Sequence, residues 1–465
     1  MDSIHFFYSR VRPDRVGFIY AIVFAFFLVL PACRTTDSGL ATTAETASRK
    51  VLRVATSGDY SPFSNWPTDA PVPIGFSASL AQAYAHDTGA ALDWIRFRWP
   101  GLMADLAAGS FSLALSGITV RPDRSMRGRF SLPLTTSGAV VLVDADSTLE
   151  SALDLDRPSI RIAVNAGGHL ERVSRRLFPS ARIEAIPDNA EVLRRLLGGA
   201  VDAVVTDTLE APHWQRNART ELRAIGPLTR DWKAALFPPG KELEALRFNR
   251  WLLRAESTGQ LARLRQTHGL AEGRTAEPLP ALLSSLDERL TLMPAVADAK
   301  RILGAPIENP LREKVVLDAA IRAVRDAAQK SATAPPDLIA VRRLFRAQIE
   351  AAKWIQNQQL RNVPARRRAA SPAERLAADT TLTEVLRPAL IYLGDRISML
   401  VTACIAESPK NLAYDDVARA LERHNLPESH LRALYDALFE LVKRERSTEP
   451  AHRPSPAGTS RVPNV

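Results

Sequence analysis

The sequence predicts a multidomain chain: a two-lobed α/β region over 50–270 followed by an all-α region over 282–445. Three observations predict it. Short apolar runs of β type alternate with helical stretches through the first region, and the pattern runs through twice. Past Pro280 glycine becomes scarce and apolar residues recur at helical spacing instead. A length of 465 residues, 46% apolar and 24% charged, suits two or three globular domains that each bury a core.

The chain opens with Arg10, Arg12 and Arg15, then an unbroken apolar run from Val16 to Leu30, then Pro31, Ala32 and Cys33. This order reads 1–33 as a secretory signal, with a run shorter than the about 20 residues of a bilayer span. Leu30-Pro31-Ala32-Cys33 resembles a bacterial lipobox, which implies lipidation at Cys33, an exported, periplasmic protein and membrane contact only through that anchor. An uncleaved anchor or ordinary cleavage nearby is the alternative. Residues 34–49, rich in Thr, Ser and Ala, read as a tether, and 446–465 as a disordered Pro/Ser tail.

Cys33 and Cys404 are the only cysteines, too few for a disulfide framework or a Cys-based zinc site. No metal and no cofactor is expected. The net charge of +10 is modest and its basic residues are scattered, which argues against nucleic acid and suits small anionic substrates.

In the first region strands are expected at 51–55, 92–97 and 113–116, with helices at 76–88 and 102–108. The second half repeats this, with strands at 161–164, 182–185 and 201–205 and helices at 169–178 and 190–197. Such alternation implies parallel sheets and two lobes with a ligand cleft between them. The stretch VDAVVTDTLEA, Val201 to Ala211, ends an apolar run in Asp207 and, three residues on, Glu210. Residues just past a strand's carboxyl end face the ligand crevice of an open α/β sheet. Read alone, the stretch favours the two acids as capping or decorating the next helix.

VLRVATSGDYSPF (Val51 to Phe63), RWPGLMADLAAGSFSLALSGITVRPDR (Arg98 to Arg124), FSLP (Phe130 to Pro133), VNAGGHLE (Val164 to Glu171) and VVTDTLEA (Val204 to Ala211) together resemble the periplasmic amino-acid-binding protein superfamily. More narrowly they resemble the cyclohexadienyl dehydratases, enzymes built on that fold. The resemblance implies that the stretch from Ser116 to Arg124 grips a ligand carboxylate, with Thr119 and Arg124 supplying hydroxyl and guanidinium. Asp207 and Arg124 match binding proteins as well, whereas Trp99, Asn165 and Glu210 point to the enzyme. Glu210 is then the acid that protonates the leaving hydroxyl of prephenate as carbon dioxide departs, with a pKa raised by apolar walls such as Trp99. Lys233, in DWKAAL, matches a lysine lining the pocket and could hold a carboxylate. The chain departs from the pattern at His169, where threonine is common, and in GFSASL (Gly75 to Leu80), which lacks an acidic residue.

Residues 271–281 read as a linker. In the all-α part, Leu338, Val341, Phe345, Gln348, Ile349, Ala352 and Ile355 mark one buried helix face. Pro294, Pro310 with Asn309 as its cap, and Pro336 mark helix starts, which leaves Arg289 on a preceding turn. Residues 361–378 read as a basic loop. Arg289, Lys300 and Arg312 stand 11 and 12 positions apart, followed by Glu313, Gln356 and, in EVLRPALIYLGDRI, Arg387. Their contexts, LDERL, AVADAK, PIENPLREKVVL and FRAQIEAAKWIQ, resemble chorismate mutase of the all-helical class, especially its secreted form. The resemblance implies that Arg289 and Arg312 bind substrate carboxylates, Glu313 orders the hydroxyl, Lys300 and Gln356 face the ether oxygen, and Arg387 completes the pocket. Without the family, basic residues on helices are usually a solvated face.

Prephenate is the product of the second module and the substrate of the first. The expected function is therefore a bifunctional enzyme converting chorismate to phenylpyruvate, towards phenylalanine, with arogenate left open as a second substrate of the first module that would give phenylalanine directly. The alternative is a solute-binding lipoprotein for a transporter or sensor fused to a mutase. Two independently folding modules are expected, and a homo-oligomer is left open.

Overall fold

The computed structural model describes residues 50–270, 275–330, 336–362, 369–407 and 412–443. The expected signal sequence with Cys33, the tether and the tail lie outside them. The strands are β1 (Val51–Thr56), β2 (Asp59–Tyr60), β3 (Ser64–Asn65), β4 (Ala91–Arg96), β5 (Leu113–Thr119), β6 (Arg129–Ser137), β7 (Ala139–Asp144), β8 (Arg161–Asn165), β9 (Arg182–Ile186), β10 (Ala203–Asp207), β11 (Leu222–Ile225) and β12 (Asp231–Phe237). Interleaved with them are helices α1 (Phe76–Thr88), α2 (Leu102–Ala107), α3 (Pro122–Arg127), α4 (Ala152–Leu155), α5 (His169–Leu177), α6 (Asn189–Leu197) and α7 (Ala211–Asn217), and then α8 (Glu242–Ser257) and α9 (Gln260–Thr267).

Two five-stranded sheets form the lobes, in the orders β4-β1-β5-β12-β6 and β11-β7-β10-β8-β9. The α/β expectation holds, but the sheets are mixed, not parallel. β12 runs antiparallel to β5 and β6, and β7 antiparallel to β10 and β11. β6 and β7, and again β11 and β12, follow one another without a helix because the chain passes from one sheet to the other there, so a search for β-α alternation passes over these four strands. β6 leads into β7 through Gly138, and β11 returns to β12 through 226–230; these are the two crossings between lobes. A Cβ at Gly138 would sit 2.3 Å from the Thr229 carbonyl oxygen, so glycine lets the crossings lie against each other.

The rest is helical among the described residues: α10 (Pro278–Thr291), α11 (Met293–Leu303), α12 (Pro310–Lys330), α13 (Leu338–Asn362), α14 (Pro372–Thr380), α15 (Arg387–Glu407), α16 (Tyr414–Ala420) and α17 (Glu428–Val442). Asn309 caps α12 as expected, its Oδ1 accepting the Arg312 N–H at 2.9 Å. Three local expectations change. α10 begins inside the segment read as linker and carries Arg289 on its last turn, because Pro278 suits a helix start. α13 begins at Leu338, two residues past the Pro336 expected at its first position, and Asp337 caps it by accepting from the Ile339 and Ala340 N–H groups. Pro372 opens α14 under a Ser371/Glu374 capping box, inside the stretch read as basic loop.

One apolar core joins the two parts, with Leu132 and Phe248 of the first clustered with Leu286, Tyr392 and Leu393 of the second. A buried polar knot crosses the same interface. Arg396 donates to Glu288 Oε2 at 2.5 Å and to the Phe130 carbonyl at 2.8 Å, while Glu288 Oε1 accepts from Ser125 Oγ at 2.7 Å. Tyr392 also donates to the Phe130 carbonyl, at 2.6 Å. α14 and α15 are joined by a π-helical turn, Thr381–Leu386, into one continuous helix Pro372–Glu407 that is long and apolar enough to cross a bilayer, yet the buried Arg396 and Tyr392 seat it as a core helix. Shared core and buried ion pair oppose the expectation that the two parts fold independently.

Candidate active site

β10 runs to Asp207, two residues beyond the expected strand end, so this acid is the last strand residue and Glu210 opens the turn into α7. Neither acid caps α7, which has no side-chain cap; Asp207 Oδ1 instead accepts the Leu209 and Glu210 N–H groups at 3.0 and 3.1 Å and braces the turn that leads into the helix. Its Oδ2 lies 2.9 Å from Lys233 Nζ and accepts the Tyr60 hydroxyl. Burial would raise the Asp207 carboxyl, but Lys233 and Tyr60 hold it below the usual range.

Glu210 caps nothing with its side chain. Only 3% exposed, it accepts Asn189 Nδ2 on Oε1 and Thr206 Oγ1 on Oε2, each at 2.7 Å. Burial first, and then the neighbouring Asp207 charge, push its pKa up to about 8 against the pull of those two hydrogen bonds. The group is therefore mostly protonated at neutral pH, the state a general acid requires.

Arg124, on α3, is 2% exposed, with Nη1 donating to the Thr119 carbonyl at 3.1 Å and Nε without a partner. Its guanidinium lies 5.9 Å from the Trp99 ring, and among the described residues no carboxylate pairs with it. Burial, and then nearby Arg121, lower its pKa to about 9. An unpaired buried cation beside an open space of about 460 Å³ is a place for an anion.

Thr119, Trp99, Asn165, Lys233, Asp207 and Glu210 all line that space with Arg124. Lys233 is already engaged, with Thr119 Oγ1 at 3.0 Å as well as Asp207, so it is not a free carboxylate holder. The Trp99 indole donates to Asp59 at 3.2 Å. Ser116 is the exception among the expected residues. It is sealed in a hydroxyl network with Ser57 Oγ at 2.7 Å, on the opposite side of β5 from Gly117 and Thr119. Gly117 must lack a side chain because a Cβ would lie 2.3 Å from the Tyr60 ring.

The sequence did not point to Tyr60, Asn189 or Thr206 as neighbours of the acids. Tyr60 lies within the matched GDYSPF run, and parity along β10 places Thr206; nothing in the spacing marks Asn189. His169 also lines the cleft, 3.0 Å from Asp231 but off the line of its ring N–H. Burial lowers the His169 pKa.

In the helical part, Arg289 has Nη1 sealed from solvent without a partner, and burial lowers its pKa to about 10. Gln356 donates to the Ala352 carbonyl at 3.1 Å and approaches Met293 Sδ at 3.7 Å, and its buried Oε1 is unpartnered. Lys300 donates to the Ile307 carbonyl at 2.8 Å. Burial lowers the Lys300 pKa, Glu313 opposes the shift and Arg387 adds to it, so these three share one neighbourhood. Glu313 also lies 3.7 Å from Lys353 Nζ. Arg312 and Arg387 are exposed. Among the described residues no group of acids, histidines and cysteines is arranged to hold a metal.

The description of bacterial extracellular solute-binding proteins, family 3, matches residues 52–271. The cyclohexadienyl dehydratase of Pseudomonas aeruginosa is 35% identical over 225 residues, 47% of this chain and 82% of that enzyme. The chain belongs to this solute-binding family. Another relative is the L-cystine-binding protein TcyJ of Escherichia coli, 27% identical over 180 residues, 38% of this chain and 66% of the relative. Among solved structures, that of the ancestral amino acid-binding protein AncCDT-1, a precursor of cyclohexadienyl dehydratase, is 29% identical. It covers 47% of this chain and 95% of its own, with a TM-score of 0.44. Family 3 thus holds an enzyme as well as binders, and its match ends before the helical part.

Proposed function

We propose that this family member is a bifunctional enzyme: the cleft over 50–270 is a prephenate dehydratase of the cyclohexadienyl type, and the helices over 282–445 are a chorismate mutase. The observation that carries the first assignment is Glu210, a buried carboxyl kept protonated to about pH 8 beside an unpaired buried arginine. A protein that only binds has no need of such an acid. Arg124 holds a substrate carboxylate, with Thr119, Asn165 and Trp99 shaping its surroundings. Glu210 gives its proton to the ring hydroxyl, and the C–O bond breaks to release water. The bond to the ring carboxylate breaks at the same time; its electron pair enters the ring, carbon dioxide leaves and phenylpyruvate forms. Solvent returns the proton to Glu210.

For the mutase, the reading rests on the resemblance and on the buried unpartnered Arg289 Nη1 and Gln356 Oε1. Chorismate rearranges in one pericyclic step, for which fixed charge and preorganised donors suffice. Arg289 and Arg312 would clamp the carboxylates, Glu313 order the hydroxyl, Lys300 and Gln356 donate to the ether oxygen, and Arg387 close the pocket. Export and a lipid anchor at Cys33 belong to the same proposal. The second reading, a solute-binding lipoprotein fused to a mutase, draws support from Arg124 and Asp207, which binders share. One assay separates the two: chorismate is supplied and prephenate and phenylpyruvate are followed by ultraviolet absorption. Conversion to phenylpyruvate supports the enzyme, and arrest at prephenate supports the binder.

A further inference from the structure

The outward face of α8 carries a row of positive charge with no counter-charge. Leu243, Arg247, Arg250, Arg254 and Ser257 follow one another at intervals of four and three residues, so they form one stripe of the helix, and all five are exposed. No acid stands on that stripe. Glu242 is turned to Arg129, Glu244 to Lys241 and Glu256 to Arg265. Arg263 of α9 continues the row, its Nη1 reaching the Thr258 carbonyl at 3.5 Å. Among the described residues Arg247, Arg250 and Arg254 form no ion pair, whereas on the other lobe Arg175 and Arg195 are matched by Glu171 and Glu191 one turn away. Like charges three and four positions apart on a helix repel, and an anionic partner turns that cost into attraction.

The row lies beside the point where the segment 34–49 joins the fold. Trp251 of α8 donates to Asp87, near the end of α1, at 2.8 Å, and Tyr84 of α1 packs on Trp251 and Phe248 with ring centroids 5.2 and 4.8 Å apart. Shortly past Asp87, the Ala91 N–H donates at 2.9 Å to the carbonyl of Lys50, the first described residue and itself exposed. An anchor at Cys33 would therefore bring this side of the lobe to the bilayer. No residue of α8 lines the cleft between the lobes.

We propose that the exposed face of α8, continued by Arg263, is a docking surface for a bilayer that contains anionic phospholipid. The arginines meet headgroup phosphates, and Leu243, 68% exposed at the head of the stripe, enters the headgroup layer. The surface is independent of both proposed reactions and adds a second membrane contact to the expected anchor. It rests on that anchor only for the side of the fold that is brought to the membrane.

The test uses the chain from Arg34 to Val465, which keeps the whole compact unit from Arg49 on and carries no lipid, so the surface is read apart from the anchor. It is sedimented with vesicles of mixed phosphatidylethanolamine and phosphatidylglycerol, and with vesicles of phosphatidylcholine alone. Binding is expected to the first only, and to weaken as salt screens the charges. An arginine at an anionic surface contributes about fivefold to partitioning, so Arg247→Glu/Arg250→Glu/Arg254→Glu should lose on the order of a hundredfold or more. The same charge change at Arg176, Arg182 and Arg216, exposed on the other lobe, should lose far less. Binding to neither kind of vesicle, equal binding to both, an α8 variant that binds as the wild type does, or equal losses in the two triple variants overturns the proposal. If the α8 variant does not fold, Arg247→Gln/Arg250→Gln/Arg254→Gln decides by the same outcomes.

Discussion

At the scale of the residue, two titrating groups separate the proposed reactions. Glu210 acts in its protonated form, and burial beside Asp207 keeps it protonated up to about pH 8. Dehydratase kcat should therefore hold through neutral pH and fall as pH rises past that value; a profile falling between pH 4 and 6 would remove Glu210 from the role. The mutase side has an amide in Gln356, which donates at any pH, so its acid limb should be flat. Its alkaline limb is set by Lys300, whose pKa burial lowers, and the ammonium is lost earlier than an exposed lysine would lose it. Gln356→Glu should make mutase turnover fall as pH rises through the carboxyl's own pKa, leaving the dehydratase profile unchanged. An unaltered mutase profile would mean that Gln356 does not face the reacting oxygen.

Most of the cleft could be read in the sequence at this scale, because Glu210, Asp207, Arg124, Thr119, Trp99, Asn165 and Lys233 do line one space. Ser116 could not be placed while β5 was expected to stop at that residue. Once the strand extends to Thr119, alternation sends 117 and 119 to the cleft and 116 to the other face. The engagement of Lys233 by Thr119 depends on β5 and β12 being antiparallel neighbours across about a hundred residues of chain, and its contact with Asp207 joins strands of two different sheets; no local pattern encodes either.

Elements with local stop signals were legible. α1 falls at its expected bounds, flanked by Gly75 and Gly89, both at positive φ. The strands that cross between lobes were not, since their partners lie far off in sequence. The packing of α10 and α15 on β6 was likewise hidden, and it rests on Arg396 and Glu288. Arg396→Met would leave the Glu288 carboxylate buried without its counter-charge and should cost about 3–5 kcal/mol of stability by denaturant unfolding. A loss within experimental error would mean that water reaches the pair.

For the molecule as a whole, the shared core makes the boundary near 271–281 a change of sequence character more than a division of the fold. Residues 50–270 expressed alone should unfold at lower temperature than in the full chain and expose the apolar side of β6 and α8. An equal melting temperature would show that the interface adds nothing. The same core holds the two proposed sites in one body, with Ser125, beside Arg124, bonded to Glu288, beside Arg289.

The most direct measurement gives chorismate to the wild type and to Glu210→Gln in parallel and quantifies prephenate and phenylpyruvate over time. Gln keeps the size and loses the proton. The wild type should reach phenylpyruvate, while the variant accumulates prephenate with dehydratase rate reduced by about 10²–10⁴. A variant that still forms phenylpyruvate at more than about a tenth of the wild-type rate, or a wild type that stops at prephenate, would contradict the assignment.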